Sequence, residues 1–141
     1  MVRVVIDTNL LLSAILTHRG NPARILNLFR KDLIEIAISD DILKEMDRVL
    51  HYPKLKKRHG WSPQEISLFL KELRQFCIVV QPPTRESLII EKDPTDDKYL
   101  DCAVASEANY IITGDQDLLG IGQYQGIKIV TPKVFLEIEG F

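Results

Sequence analysis

The apolar positions of the chain fall into short β-branched runs that alternate with longer stretches of helical periodicity. The strand-like runs are residues 2–6, 33–38, 77–80, Tyr110–Ile112 and Ile127–Val130. The run 2–6 has the continuous, β-branched character that is typical of a strand buried on both faces. The last run is followed by Thr131-Pro132, which predicts a short terminal helix.

Helical patterns occupy the segments between these runs. Helices are predicted from Asn9 onward and over residues 22–31, 40–50, 63–76 and about 93–108. Asn21 is the expected N-cap of the second of these helices, with Pro22 at its first position. Ser39 is the expected N-cap of the third. Residues 51–60 are rich in lysine and arginine, and we expect them to form a basic loop.

Strands that alternate with helices indicate βαβ units and a parallel sheet covered on both faces. The predicted fold is therefore α/β, a Rossmann-like three-layer α/β/α sandwich around a central parallel sheet of about five strands. At 141 residues the chain fits one domain spanning 1–141, and no repeat or linker divides it.

Hydropathy, cysteine content and net charge limit where the protein is expected to be located and which kinds of function it is expected to have. The apolar runs are too short to span a membrane, and Met1 leads into the first strand without a secretory leader pattern. Cys77 and Cys102 have no partner at metal-ligand spacing, so we expect reduced, buried thiols in a cytoplasmic protein. A formal net charge of −2 argues against a polycationic binding module, but not against a metal-dependent enzyme.

Acidic side chains from four distant segments are predicted to meet at one edge of the sheet. Asp7 ends the first strand, Asp115 follows the Tyr110–Ile112 strand, and Glu45 lies on the helix that Ser39 caps. Asp96 and Asp97 lie in the first turn of the helix that begins near residue 93. Ligands of open parallel sheets bind at the carboxyl ends of the strands, which is the edge these segments share.

Such a cluster requires a compensating cation. Two carboxylates about 4 Å apart repel by a few kcal/mol at an effective dielectric near 20. Hard oxygen ligands without a histidine or cysteine cluster favour Mg²⁺ or Mn²⁺, and such a metal supports phosphodiester hydrolysis.

Four motifs, in this order along the chain, resemble those of PIN-domain ribonucleases, which include toxins of toxin–antitoxin pairs. They are the strand ending in Asp-Thr-Asn at 4–11, the helical Leu-Lys-Glu segment at 43–50, the Asp pair at 96–103 and Thr-Gly-Asp-Gln-Asp-Leu-Leu at 113–119. The resemblance implies single-stranded or loop RNA as substrate, a homodimer, and often a small antitoxin partner.

The resemblance also implies roles for individual residues. The metal-binding, catalytic quartet would be Asp7, Glu45, Asp97 and Asp115. Asn9 and Thr113 would orient the carboxylates or the metal-bound water. The apolar surface of the helix that begins at Asn9 exceeds what core burial needs, and a dimer interface would explain the excess.

Alternatives remain for several of these acids. Asp7 could cap the helix that follows it, and Asp96 and Asp97 could simply complement a helix dipole. Helical periodicity alone does not choose between Glu45 and Asp47, and only the family pattern selects Glu45. Asp117 is a candidate ligand of a second metal, and Asp96 is a further candidate ligand.

The basic stretch 51–59 has two interpretations. Lys54, Lys56, Lys57 and Arg58 could guide RNA phosphates toward the acids, with Tyr52 or Trp61 stacking on a base. Equally, the stretch could be a solvated loop or an edge that meets a partner chain.

Three other functions compete with a ribonuclease. A phosphatase with Asp7 as nucleophile would need a second Asp at position 9, which is Asn9. A structure-specific DNA nuclease usually has a longer chain. A catalytically idle RNA- or protein-binding module would have lost one of the four acids, and all four are present. A nuclease of RNA processing or quality control, rather than a toxin, remains an alternative.

Overall fold

A computed structural model describes residues 1–82 and 97–141 of the chain. Its central sheet has the strand order β3-β2-β1-β4-β6-β5. The strands are β1 (Arg3–Ile6), β2 (Glu35–Ser39), β3 (Ile78–Val80), β4 (Tyr110–Ile112), β5 (Gln123–Tyr124) and β6 (Ile127–Val130). All neighbouring strands pair in parallel except β5, which runs antiparallel to β6 at the edge of the sheet.

Helices connect these strands. They are α1 (Thr8–Thr17), α2 (Gly20–Arg30), α3 (Asp40–Leu50), α4 (Pro53–His59), α5 (Pro63–Phe76), α6 (Asp97–Ser106), α7 (Gln116–Ile121) and α8 (Pro132–Glu139). Every residue of β4, and Val4, Val5 and Ile6 of β1, is buried. Consecutive buried residues mean that both faces of these central strands are covered, as a three-layer α/β/α sandwich requires. The predicted fold class is therefore confirmed.

Several helix starts follow from the capping chemistry in the sequence. The Ser39 hydroxyl accepts a hydrogen bond from the Ile42 amide at the start of α3. Ser62 and Glu65 form a reciprocal capping box at the start of α5, and the Thr131 hydroxyl caps α8. These helices begin where the sequence predicted.

Two predictions at the helix level were wrong. Asn21 is not the N-cap of α2, because the helix already begins at Gly20 with Arg19 as an N-cap that makes no side-chain hydrogen bond. The stretch 51–60 is not a loop, because Pro53–His59 forms the short helix α4. Pro53 starts this helix with a preset φ, and Gly60 ends it with φ +68, in the left-handed conformation that favours glycine.

Two further elements, α7 and β5, were not predicted. Both are short, and β5 is only two residues long. The predicted start of a helix near residue 93 lies outside the described residues, which resume at Asp97 in α6. Within residues 1–82 and 97–141, no helix combines the length and apolar character that crossing a bilayer requires.

Candidate active site

Asp7 lies at the carboxyl edge of the sheet. Its backbone amide donates to the Ile112 carbonyl at 3.0 Å, which continues the pairing of β1 with β4 by one residue. Its side chain is fixed on both oxygens: Oδ1 accepts from the Asn9 amide at 2.9 Å and Oδ2 from the Thr113 hydroxyl at 2.9 Å. Asp7 therefore does cap α1, which was the alternative to a functional role. Its second oxygen, however, bonds to Thr113, in another segment of the chain.

The Asp7 carboxyl carries a charge that its surroundings compensate poorly. The residue is only 8% exposed, and burial raises the pKa of its carboxyl. The hydrogen bonds from Asn9 and Thr113 lower the pKa, but the negative charges of Glu45 and Asp115 raise it further, and the net direction is upward. Within the described residues, Asp7 has no ion-pair partner. A cation bound nearby would compensate this charge.

Thr113 joins two of the predicted acids. Its side chain is fully buried, and its hydroxyl donates to Asp7 while accepting from the backbone amide of Asp115 at 3.0 Å. Asp115 in turn caps α7, because its Oδ1 accepts from the Asp117 amide at 3.2 Å. The main-chain turn after β4 thus fixes Asp115 relative to Asp7 through one hydroxyl.

Glu45 reaches the same region from α3. Its Oε1 accepts from the Thr8 hydroxyl at 2.8 Å and from the Tyr99 hydroxyl at 2.6 Å, and its Oε2 pairs with Lys98 Nζ at 2.8 Å. Burial raises the pKa of the Glu45 carboxyl, but the contacts with Lys98, Tyr99 and Thr8 outweigh it and hold the pKa below its usual value. Glu45 is therefore ionised at neutral pH.

The choice between Glu45 and Asp47 is resolved by their contacts. Asp47 is exposed and its carboxylate lies 3.3 Å from His51 Nδ1, one turn along the same helix. Glu45 instead faces Thr8, which follows Asp7 directly. Its negative charge also acts on the Asp7 carboxyl. Of the two acids, Glu45 is the one that lies near Asp7.

The fourth predicted acid enters through α6. Asp97 is the first described residue of this helix, and Lys98 and Tyr99, which follow it, contact Glu45. The start of α6 therefore lies at the acidic edge. The side chain of Asp97, and Asp96 as a whole, lie outside the described part of the chain.

Comparison with known proteins identifies the family. The sequence matches the PIN domain family over residues 3–117, which is most of the chain. The chain belongs to the PIN domain family. A relative, the uncharacterized protein MJ1680 of Methanocaldococcus jannaschii, is 34% identical over 144 aligned positions, which cover 96% of this chain and 90% of that protein.

Solved structures share the fold. PAE2754 of Pyrobaculum aerophilum superposes with a TM-score of 0.59 at 17% identity, covering 99% of this chain and 91% of that one. VapBC2 of Rickettsia felis, solved with a DNA fragment from its promoter, gives 0.57 at 18% identity, covering 90% and 96%. PIN domains are nucleases that generally use divalent metals, so this chain is a member of a nuclease family.

The donors of this PIN domain fit a hard dication in their chemistry. Asp7, Glu45 and Asp115 offer carboxylate oxygens, the ligand type that Mg²⁺ and Mn²⁺ prefer. Asp7 is a buried carboxylate without a cationic partner among the described residues. Within that part of the chain, no three acidic, histidine or cysteine side chains already stand close enough to hold one ion.

Some contacts of the site were not predicted from the sequence. Thr8, Lys98 and Tyr99 were not singled out, although each is adjacent to, or two positions from, a predicted acid. Their position inside the Asp-Thr-Asn and Asp-Asp motifs was the available signal. Asn9 contacts Asp7 through its backbone amide, while its side chain is exposed.

The predicted RNA-binding residues of this PIN domain all lie on α4. Lys54, Lys56, Lys57 and Arg58 are exposed there. The helix follows the carboxyl end of α3, whereas α3 begins at the acidic edge. The 11 residues of α3 separate the two by roughly 16 Å along the helix axis.

The two aromatic residues beside α4 differ in how exposed they are for stacking on a base. The Trp61 ring is half-buried against His59 and Phe69, with ring centroids 5.2 and 5.3 Å away. Tyr52 is 47% exposed and so is the freer surface for stacking.

Proposed function

We propose that this PIN domain is a Mg²⁺- or Mn²⁺-dependent endoribonuclease that hydrolyses phosphodiester bonds in single-stranded RNA. The observation that carries the proposal is the Thr113 hydroxyl, which links the carboxylate of Asp7 to the backbone of Asp115 at the carboxyl edge of the sheet. Glu45 adds a third negative charge that acts on Asp7. These three acids come from distant segments, and a bound cation would relieve the repulsion that Glu45 and Asp115 exert on Asp7.

The metal would be held by Asp7, Glu45, Asp97 and Asp115, with Asp96 and Asp117 as further candidates. When bound, such a dication supplies activation of water and stabilisation of charge on the phosphate. The residues of the chain position the ligands: Thr113 and the Asn9 amide fix both oxygens of Asp7.

RNA would approach along the exposed cations of α4. Lys54, Lys56, Lys57 and Arg58 offer four positive charges on one short helix, and the exposed Tyr52 lies next to it. Phosphate contacts of this kind attract nucleic acid without reading sequence, and an aromatic face adds base stacking. Both suit a substrate whose bases are unpaired.

The biological role we propose is that of the toxin in a toxin–antitoxin pair, acting as a homodimer that a small antitoxin inhibits. Support comes from the family motifs in the sequence and from the likeness of the fold to VapBC2, which was solved on promoter DNA. A short neighbouring gene that encodes a DNA-binding protein, and co-purification of its product with this chain, would test the role. Growth unaffected by expression of an active enzyme would favour RNA processing instead.

Cleavage of an unstructured RNA oligonucleotide by the purified protein tests the enzymatic proposal. We expect cutting with Mg²⁺ or Mn²⁺, none with EDTA, and a decrease of at least about a hundredfold in Asp7→Asn and Asp97→Asn, because each removes a charged ligand. Asp32→Asn is the matched control, since Asp32 lies in the turn before β2, at the opposite edge of the sheet.

Two outcomes would count against it. Cutting that survives chelation, or that persists in Asp7→Asn, would rule out the metal mechanism. Absence of cutting by a folded protein that binds RNA would instead identify a catalytically idle RNA-binding module. Single-stranded DNA of the same sequence, run in parallel, tests whether RNA is the substrate.

A further inference from the structure

Lys98 occupies an unusual position beside the acids. Its ammonium lies 2.8 Å from Glu45 Oε2, and its side chain is only 13% exposed. The ammonium also lies 5.4 Å from the centroid of the Tyr99 ring. A lysine is rarely this buried unless it is paired with an acid. Here the acid is one that we assign to the metal site.

Most of the acceptor positions of the Glu45 carboxylate are already occupied by donors from the protein. A carboxylate offers about four lone-pair positions. Oε1 takes two donors, the hydroxyls of Thr8 and Tyr99, and Oε2 takes the Lys98 ammonium. A second cation on Oε2 would lie close to the ammonium and be repelled by it. Metal coordination at the remaining position on Oε2 is therefore unfavourable unless Lys98 withdraws.

We propose that Lys98 is a resident counter-cation of the acidic site, a positioning residue that holds Glu45 while no dication is present and releases it when one binds. The inference rests on the proposed function in one respect, that this site binds a divalent cation. It assigns Lys98 a role that opposes metal binding and so sets how tightly the site holds its ion.

The remaining contacts of Glu45 make the idea testable by substitution. In Lys98→Met the Thr8 and Tyr99 hydroxyls still hold Oε1, so the carboxylate keeps its place while the competing charge is gone. A lysine with a merely structural role would behave differently: its removal would loosen Glu45 and weaken metal binding. The direction of the change in affinity separates the two roles.

The experiment is titration of the purified protein with Mn²⁺, followed by the electron paramagnetic resonance signal of the free ion. We expect Lys98→Met to bind Mn²⁺ about tenfold more tightly than the wild type, because a positive charge near the ion is removed. Lys98→Arg, which keeps the charge, should stay close to the wild type. Lys128→Met is the matched control, since Lys128 is exposed and pairs with the first residue of β4, at the opposite end of the sheet.

Equal or weaker binding by a folded Lys98→Met would overturn the inference alone, whereas a wild type that binds no Mn²⁺ would overturn the proposed function and the inference with it. A measurement on the wild type covers the case in which the variant does not fold. The ¹⁵N signal of the Lys98 ammonium should be protected from exchange without metal and lose that protection when Mg²⁺ is added. Protection that is unchanged in saturating Mg²⁺ would refute the exchange of partners.

Discussion

At the scale of single residues, the buried charge of Asp7 lowers the stability of the folded chain. Asp7 is a buried carboxylate that feels the negative charges of Glu45 and Asp115, and its pKa is raised above the ordinary 3.8 by burial and then by these charges. A raised pKa for an acid means that its ionised form is less favourable in the folded chain than in the unfolded one. The negative charge of Asp7 therefore destabilises the fold at neutral pH when no metal is present.

Asp7→Asn is accordingly expected to stabilise the metal-free protein while it abolishes cleavage. The amide keeps an oxygen that accepts from the Asn9 amide, and its NH₂ group can donate to the Thr113 hydroxyl, which reverses the direction of that hydrogen bond. We expect a gain of about 0.5–2 kcal/mol in the free energy of unfolding at pH 7. Urea denaturation in EDTA measures it.

The pH dependence gives this prediction its sign. Below the unfolded-state value of 3.8 Asp7 is protonated in both states, so wild type and Asp7→Asn should be equally stable. As pH rises from this value through the raised folded-state pKa, the wild type loses stability and the variant does not. The difference between their free energies of unfolding therefore grows and then becomes constant. A gap that is constant from pH 4 to 8, or one of opposite sign, would show that the Asp7 charge is not what destabilises the fold.

The sequence motifs select candidate acids but do not predict the groups that surround them. The motifs selected Glu45 where periodicity left Asp47 equally acceptable, and the contact with Thr8 agrees with the motifs. Lys98 is 53 positions from Glu45. No local pattern predicts such a pair, because it depends on how α3 and α6 pack.

At the scale of elements, local chemistry decided which predictions succeeded. Helices α3, α5 and α8, each capped by a Ser or Thr hydroxyl, begin where predicted, whereas α2 begins without a side-chain cap and was placed too late. The short helix α7 was not predicted although Asp115 caps it. The helix α4 was missed although its Pro53 and Gly60 are ordinary start and stop signals, because its charge density suggested a loop. The two-residue strand β5 depends on pairing with β6 and has no periodicity of its own.

The capping box of α5 provides a test at this scale. Ser62→Ala removes the hydroxyl that accepts from the Glu65 amide at 3.1 Å and should cost about 1 kcal/mol of stability in urea denaturation. Ser67→Ala, at an exposed interior position of the same helix, is the control and should be neutral or slightly stabilising. Equal effects of the two substitutions would mean that the cap does not stabilise the helix.

The basic helix α4 carries a second prediction. Lys56→Gln with Lys57→Gln should weaken binding of single-stranded RNA. The slope of log affinity against log salt should become shallower by about 0.7 for each RNA phosphate that the variant no longer neutralises. Lys31→Gln with Lys128→Gln removes the same charge elsewhere on the surface and is the control. Fluorescence anisotropy over a range of KCl concentrations measures both. If the two pairs gave the same slopes, α4 would be a solvated helix and not an RNA-binding surface.

At the scale of the whole molecule, the alternation of strands and helices was enough to predict an α/β sandwich. The parallel order β3-β2-β1-β4-β6 places the ends of β1, β2 and β4 side by side, and Asp7, α3 and Asp115 follow those ends. The sheet topology thus brings together acids that the sequence separates by more than a hundred positions, from Asp7 to Asp115. Metal binding and folding stability are then linked, because a cation that binds only the folded chain also stabilises it.

Mg²⁺ should therefore raise the melting temperature of the wild type. A hundredfold excess over the dissociation constant contributes about 2.7 kcal/mol, which corresponds to roughly 5–10 °C for a chain of this length. Asp7→Asn should begin from a higher melting temperature without metal and gain little when Mg²⁺ is added, so that the order of the two proteins reverses. KCl at matched ionic strength distinguishes site binding from screening of the acids. An equal rise in both proteins, or an equal rise with KCl, would mean that the ion acts on the surface at large and that the Asp7 edge is not its site.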